Sequence, residues 1–121
     1  MKPEFINDLE KNKNKYKLII LPLISSAAVL RKENLFVKLY NTFPISGYDG
    51  TLEHRMNNTR AERRVHAKTG TISGASNLAG YLQTKNGSML AFSIFVQNYA
   101  GHAAQARKFQ DKICEILFKE L

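Results

Sequence analysis

The residues best suited to chemistry are Lys68, Thr69, Gly70 and Thr71, inside the run Arg64-Val-His-Ala-Lys-Thr-Gly-Thr-Ile-Ser-Gly74. A lysine ammonium is a compact positive charge that holds a carboxylate through charge-assisted hydrogen bonds. The hydroxyl of Thr69 adds a neutral donor to the same anion. In an ideal strand neighbouring side chains point to opposite faces, so Lys68 and Thr69 diverge unless the strand twists or the two divide the work. Gly70 removes a side chain where an extended peptide must approach the strand edge. The N–H of Thr71 is then available to a developing oxyanion, a contact worth about 3–4 kcal/mol in comparable sites. The bare tripeptide reads as no more than a basic strand with a turn-forming glycine. Its surroundings give it meaning.

Other candidates are weaker. His54, His66 and His102 have no Cys or carboxylate partner at metal-ligand spacing, and nothing points to a cofactor. Cys114, the one cysteine, excludes an internal disulfide and sits in an apolar helical pattern, which predicts a small buried core residue. Gly70-Thr-Ile-Ser-Gly74 lacks the serine placement of a nucleophile elbow, so Ser73 reads as a turn residue. No Gly-Lys-Ser/Thr follows, which excludes a phosphate loop. Asp49 reads as a turn residue, and Arg55 as either a structural or a cleft cation.

The elements that must position these residues follow from period and turn chemistry. Residues 1–17 are polar and Asn/Lys-rich with a weak helical face. Val29, Leu30, Leu35, Phe36, Leu39 and Tyr40 predict helical segments ending before Pro44. Pro44 to Gly50 is a turn-rich loop, and Thr51 is placed to cap a short helix through Met56. Arg64 to Thr71 reads as a strand, followed by the small-residue turn Ser73-Gly-Ala-Ser76. Asn77–Thr84 and Ser88–Gln97 read as strands joined at Lys85-Asn-Gly87, the best hairpin signal in the chain. Met89 to Val96 is nearly all apolar, which predicts burial on both faces. Gly80 leaves room for close packing of another element. Ala103 to Leu121 is an amphipathic helix with Ala106, Phe109, Ile113, Ile116, Leu117 and Leu121 on its apolar stripe. The expected fold is α+β: a short antiparallel sheet of about three strands flanked by helices.

At 121 residues the chain is one domain or part of one, with an ordinary apolar fraction of 44%. Its net charge of +8 suits nucleic acid, an anionic surface or an acidic small substrate. The grouping of Arg55, Arg60, Arg63, Arg64, His66 and Lys68 around the motif favours a local anion site over a diffuse stripe. Leu18 to Leu30, broken by Pro22, is too short to span a bilayer, which takes about 20 residues. It reads as a buried strand or helix, and no convincing export signal is present.

Several segments now agree in order: Pro44-Ile-Ser-Gly-Tyr-Asp-Gly-Thr-Leu52, Arg55-Met56, the extended Lys-Thr-Gly run, Ser76-Asn-Leu-Ala-Gly-Tyr-Leu82 and Leu90-Ala-Phe-Ser-Ile94. The series resembles the C-terminal part of the D-alanyl-D-alanine carboxypeptidase/endopeptidase family, the class C low-molecular-mass penicillin-binding proteins. The resemblance runs from about Phe36 to Leu121, roughly two thirds of the chain, and residues 1–35 match less clearly. It implies the C-terminal part of a penicillin-binding-protein/serine β-lactamase-like transpeptidase fold. It also implies a periplasmic or secreted serine enzyme acting on peptidoglycan stem peptides or acylated by β-lactams. By that resemblance Lys68 and Thr69 bind the terminal carboxylate of D-Ala-D-Ala, with Gly70 between them and Thr71. Thr71 lends its backbone N–H to the oxyanion hole.

The family's other two motifs, Ser-x-x-Lys and Ser-x-Asn, are absent. None of Ser25, Ser26, Ser46, Ser73, Ser76, Ser88 and Ser93 has a lysine three positions on or an asparagine two positions on. The expectation is therefore one wall of an active site, inactive alone: a remnant, the product of an internal start, or a subunit completed by a companion chain carrying the nucleophile. The alternative is a small basic nucleic-acid-binding module using the Arg55–Lys68 cluster and the Lys11–Lys17 run. Against it, most aromatics lie in apolar patterns and do not interleave with the basic residues as single-strand binders require.

Overall fold

Strand alternation builds a two-faced antiparallel sheet that a helix covers on each side. A computed structural model describes residues 17–20 and 33–121. The strands are β1 (Lys17–Ile20), β2 (Val65–Ile72), β3 (Ala75–Gln83) and β4 (Met89–Gln97), in spatial order β1-β4-β3-β2. The helices are α1 (Glu33–Thr42) and α2 (Ala103–Glu120). Three strands are those the sequence predicts. The fourth, β1, extends the sheet beyond β4 with Lys17 opposite Gln97 and Ile20 opposite Ile94. Residues 21–32, which hold the rest of the apolar stretch and the first predicted helical positions, lie outside the described residues.

The register places Val65, Ala67, Thr69 and Thr71 across from Leu82, Gly80, Leu78 and Ser76, which in turn face Leu90, Phe92, Ile94 and Val96. This is the α2 face and the main core. Val65, Ala67, Leu78, Leu82, Phe92, Ile94 and Val96 are all buried there with Ala106, Ile113 and Cys114 of α2. Each large side chain so buried contributes roughly 1.5–3 kcal/mol. The opposite face carries His66, Lys68, Ala79, Tyr81, Ala91, Ser93 and Phe95. Helix α1 packs on one end of it: Phe36 meets Tyr81 edge-on at 5.0 Å, and Tyr40 stacks on His66 at 3.8 Å. The rest of that face is half-buried, so β4 is fully covered on one side only, not on both.

Other local expectations also change. The β2–β3 turn is tighter than predicted, since Ile72 already pairs with Ala75 and only Ser73-Gly74 lie between, with Gly74 at φ 73°. The β3–β4 turn uses Gly87 alone at positive φ (82°), while the Asn86 amide reaches the Leu121 carbonyl at 2.6 Å. The buried stripe of α2 is Ala106, Gln110, Ile113 and Cys114, and Leu121 is exposed. Phe109 and Leu117 pack beside that stripe, while Ile116 is only partly buried. Burial pushes the Cys114 thiol well above its usual range, which keeps it an inert core group. Thr51 caps no helix: residues Gly50–Leu52 make a single tight turn after Asp49, whose carboxylate accepts the Ile45 N–H at 2.6 Å.

Candidate active site

Strand β2 is an edge strand, and the loop before it decides how much of that edge stays open. The Ser46 N–H donates to the Val65 carbonyl at 2.9 Å, and the Ala67 N–H donates to the Pro44 carbonyl at 3.1 Å. These bonds cover the first half of the edge around the Ile45–His66 bridge. They also fix parity. Odd-numbered residues of β2 turn their backbone groups outward, so the N–H and C=O of Thr69 and Thr71 face the uncovered second half. No described strand pairs with them there. Gly70 is exposed, and a Cβ added to it would meet nothing within 4 Å.

The buried Ser46 hydroxyl locks this loop. It donates to the Ala61 carbonyl at 2.7 Å and accepts the Val65 N–H at 3.2 Å. Gly80 sets the approach of β3 to β2: an added Cβ would stand 2.1 Å from the His66 carbonyl oxygen and 2.6 Å from the Ala67 Cα. The room that Gly80 leaves is therefore for the adjoining strand's backbone.

The predicted site residues fall into two groups. Lys68 lies on the α1 face with an exposed side chain, and its ammonium curls over the edge to the Thr69 carbonyl. Thr69 and Thr71 project to the α2 face. There they line a cavity of about 260 Å³ with Thr51, Arg55 and Arg107. The Thr69 hydroxyl donates to that of Thr51 at 3.1 Å. Lys68 and Thr69 thus lie on opposite faces of β2, as strand alternation requires.

Arg55 is a structural cation that also forms the cavity floor. Its Nε donates to both Asp111 oxygens, at 2.9 and 3.0 Å, and one Nη donates to Asp111 at 2.6 Å, Gln110 at 3.2 Å and the Arg107 carbonyl at 3.1 Å. Gln110 passes the network on to the Ser76 hydroxyl at 3.3 Å. The loop, α2 and β3 are tied together directly behind Thr69 and Thr71.

Sequence reasoning misses Thr51 and Arg107 as cavity residues. Thr51 carries a cap signal, and Arg107 stands on the polar flank of α2, four residues before Asp111, where a helical ion pair would be expected. Arg55 takes Asp111 instead. No local pattern reports that exchange.

The model of the D-Ala-D-Ala carboxypeptidase 3 (S13) family matches residues 22–119. The D-alanyl-D-alanine carboxypeptidase DacB of Haemophilus influenzae is 34% identical over 80 residues, which are 64% of this chain and 17% of that protein. The D-alanyl-D-alanine carboxypeptidase of Actinomadura sp. strain R39 is 51% identical over 57 residues, 47% of this chain and 10% of that one. Penicillin binding protein 4 of Haemophilus influenzae superposes with a TM-score of 0.67 at 29% identity, covering 75% of this chain and 22% of its own; it has also been solved with a β-lactam. The chain spans between 10% and 23% of the length of these proteins. Sequence motif, sheet and family match converge: this chain belongs to the D-Ala-D-Ala carboxypeptidase 3 (S13) family.

Proposed function

We propose that this chain forms the substrate-carboxylate wall of a serine-type D-Ala-D-Ala carboxypeptidase/endopeptidase site and does not turn over substrate alone. The ligand is a peptidoglycan stem peptide ending in D-Ala-D-Ala, or a β-lactam in its place. Lys68 and Thr69 bind the terminal carboxylate, Gly70 clears the approach, and the Thr71 N–H serves as an oxyanion-hole donor. The observation that carries this reading is the open second half of the β2 edge. Outward-turned backbone groups there suit an extended peptide adding as a further strand. A companion chain carrying the nucleophile would complete the site, on the cell-wall side of the membrane where such peptides occur. Among the described residues no helix is long and apolar enough to cross a membrane.

The test is a titration of the isotope-labelled chain with an N-acylated D-Ala-D-Ala peptide, followed by amide resonances. Shifts should cluster at Thr69, Gly70 and Thr71, and Lys68→Ala should weaken binding roughly tenfold, the weight of one charge-assisted hydrogen bond. Shifts elsewhere, or an affinity indifferent to Lys68→Ala and Thr69→Val together, would refute the assignment.

A further inference from the structure

We infer that Arg107 is a second cation of the carboxylate subsite, placed on the α2 side of β2 where it and the hydroxyls of Thr51, Thr69 and Thr71 receive a substrate carboxylate. The inference rests on the proposed function and deepens it. Three threonines and two arginines line one cavity of about 260 Å³, residue types suited to a small anion. The two arginines differ in what they have left to give. Arg55 is buried and committed to Asp111, with hydrogen bonds also to Gln110 and the Arg107 carbonyl, so its charge is already compensated. Arg107 is exposed and has no ion-pair partner among the described residues.

The carboxylate nearest to it in sequence on α2, Asp111, is the one Arg55 occupies. Arg107 is therefore the uncompensated arginine of the cavity that Thr69 and Thr71 also line. Lys68 stands on the opposite face and reaches the edge only by curling onto the Thr69 carbonyl. An anion bonded to both threonine hydroxyls would meet Arg107 from the α2 side and Lys68 across the strand edge. The planar fork of arginine matches a carboxylate in two parallel hydrogen bonds, which a lysine cannot supply. The Arg55 bond to the Arg107 carbonyl fixes this residue's backbone, so the side chain can be changed without disturbing the clamp behind it.

The experiment compares the affinity of the chain for an N-acylated D-Ala-D-Ala peptide with its affinity for the C-terminal amide of the same peptide. Arg107→Gln should weaken the free acid roughly tenfold, leave the amide unchanged and reduce the salt dependence of acid binding. Arg107→Lys should recover only part of the loss. Unaltered acid binding in Arg107→Gln, with binding still lost in Thr69→Val, would overturn this inference and leave the proposed function standing. An equal loss for acid and amide would also overturn it, since no carboxylate would then be read. Failure of the unmodified chain to bind either peptide would remove the proposed function and this inference together.

Discussion

Arg55 and His66 are the side chains whose chemistry the fold constrains most. The guanidinium of Arg55 satisfies Asp111 and Gln110 where water scarcely reaches, so removing it strands a carboxylate and a buried amide at once. Arg55→Met keeps the length and loses the donors. It should cost about 2–3 kcal/mol in urea unfolding, below the range for a fully buried pair because the Asp111 side chain is 22% exposed. Adding Asp111→Leu should return part of that loss; no recovery would mean that packing, not charge, holds the loop. His66 supplies a pH dependence. Its ring lies flat on Tyr40 and its Nδ1 is buried without a hydrogen-bond partner. Burial lowers the imidazole pKa below its ordinary value, against opposing pulls from the Tyr40 backbone carbonyl and from Asp49. The folded state thus binds the proton less readily than the unfolded chain, whose histidine titrates near about 6.5. The contribution is complete above that value and is lost as pH falls through it toward the lower folded pKa. His66→Phe, which keeps an aromatic ring for the stack, should flatten the change in unfolding free energy between about pH 7.5 and about pH 5. An unchanged slope would locate the dependence in other groups.

Among the elements, β2 matters most, because its position against β3 and its open edge together make the site. Two glycines allow a clean separation of these roles. At Gly80 an added methyl would collide with the backbone of His66 and Ala67, and backbone cannot swing aside as a side-chain tip can. Gly80→Ala should destabilise the fold by about 1–3 kcal/mol and shift amide resonances along β2, displacing Thr69 to Thr71. At Gly70 the same methyl meets open space. Gly70→Ala should therefore leave stability near that of the unmodified chain and weaken peptide binding only, because the methyl occupies the path of the incoming strand. If Gly70→Ala bound peptide normally, the ligand would not be using this edge. The three long strands were legible because their period, apolar content and turn residues are local properties. Strand β1 was legible only as part of an apolar stretch open to strand or helix, since Leu18 to Ile20 takes its strand pairing from residues 94–96, far along the chain. The apolar period of α2 predicts a stripe slightly off the buried one for a similar reason: Gln110 takes a core position because Arg55 and Ser76 are there to satisfy it.

At the scale of the whole molecule the cavity joins three separated segments, the turn at Thr51, the strand at Thr69 and Thr71, and the helix at Arg107. The motif on β2 was visible as residue types at adjacent positions. Its partners were not, because the Arg55–Asp111 pair links positions 56 residues apart and is specified only by the folded chain. On the proposed function these segments supply binding surface, hydroxyls, cations and outward N–H groups, and the sequence holds no serine in a Ser-x-x-Lys arrangement. Oriented donors without a nucleophile can stabilise an oxyanion, but no acyl-enzyme can form on them. Incubation with excess benzylpenicillin should therefore leave the intact mass of the folded chain unchanged, and the same sample should release no D-alanine from a D-Ala-D-Ala peptide. Far-ultraviolet circular dichroism on that sample would establish that the protein was folded during the exposure. An adduct of one penicillin per chain, mapped to a single serine, would mean that a nucleophile is activated by some group other than a lysine three residues on. Such an adduct would turn the proposed binding wall into a complete enzyme.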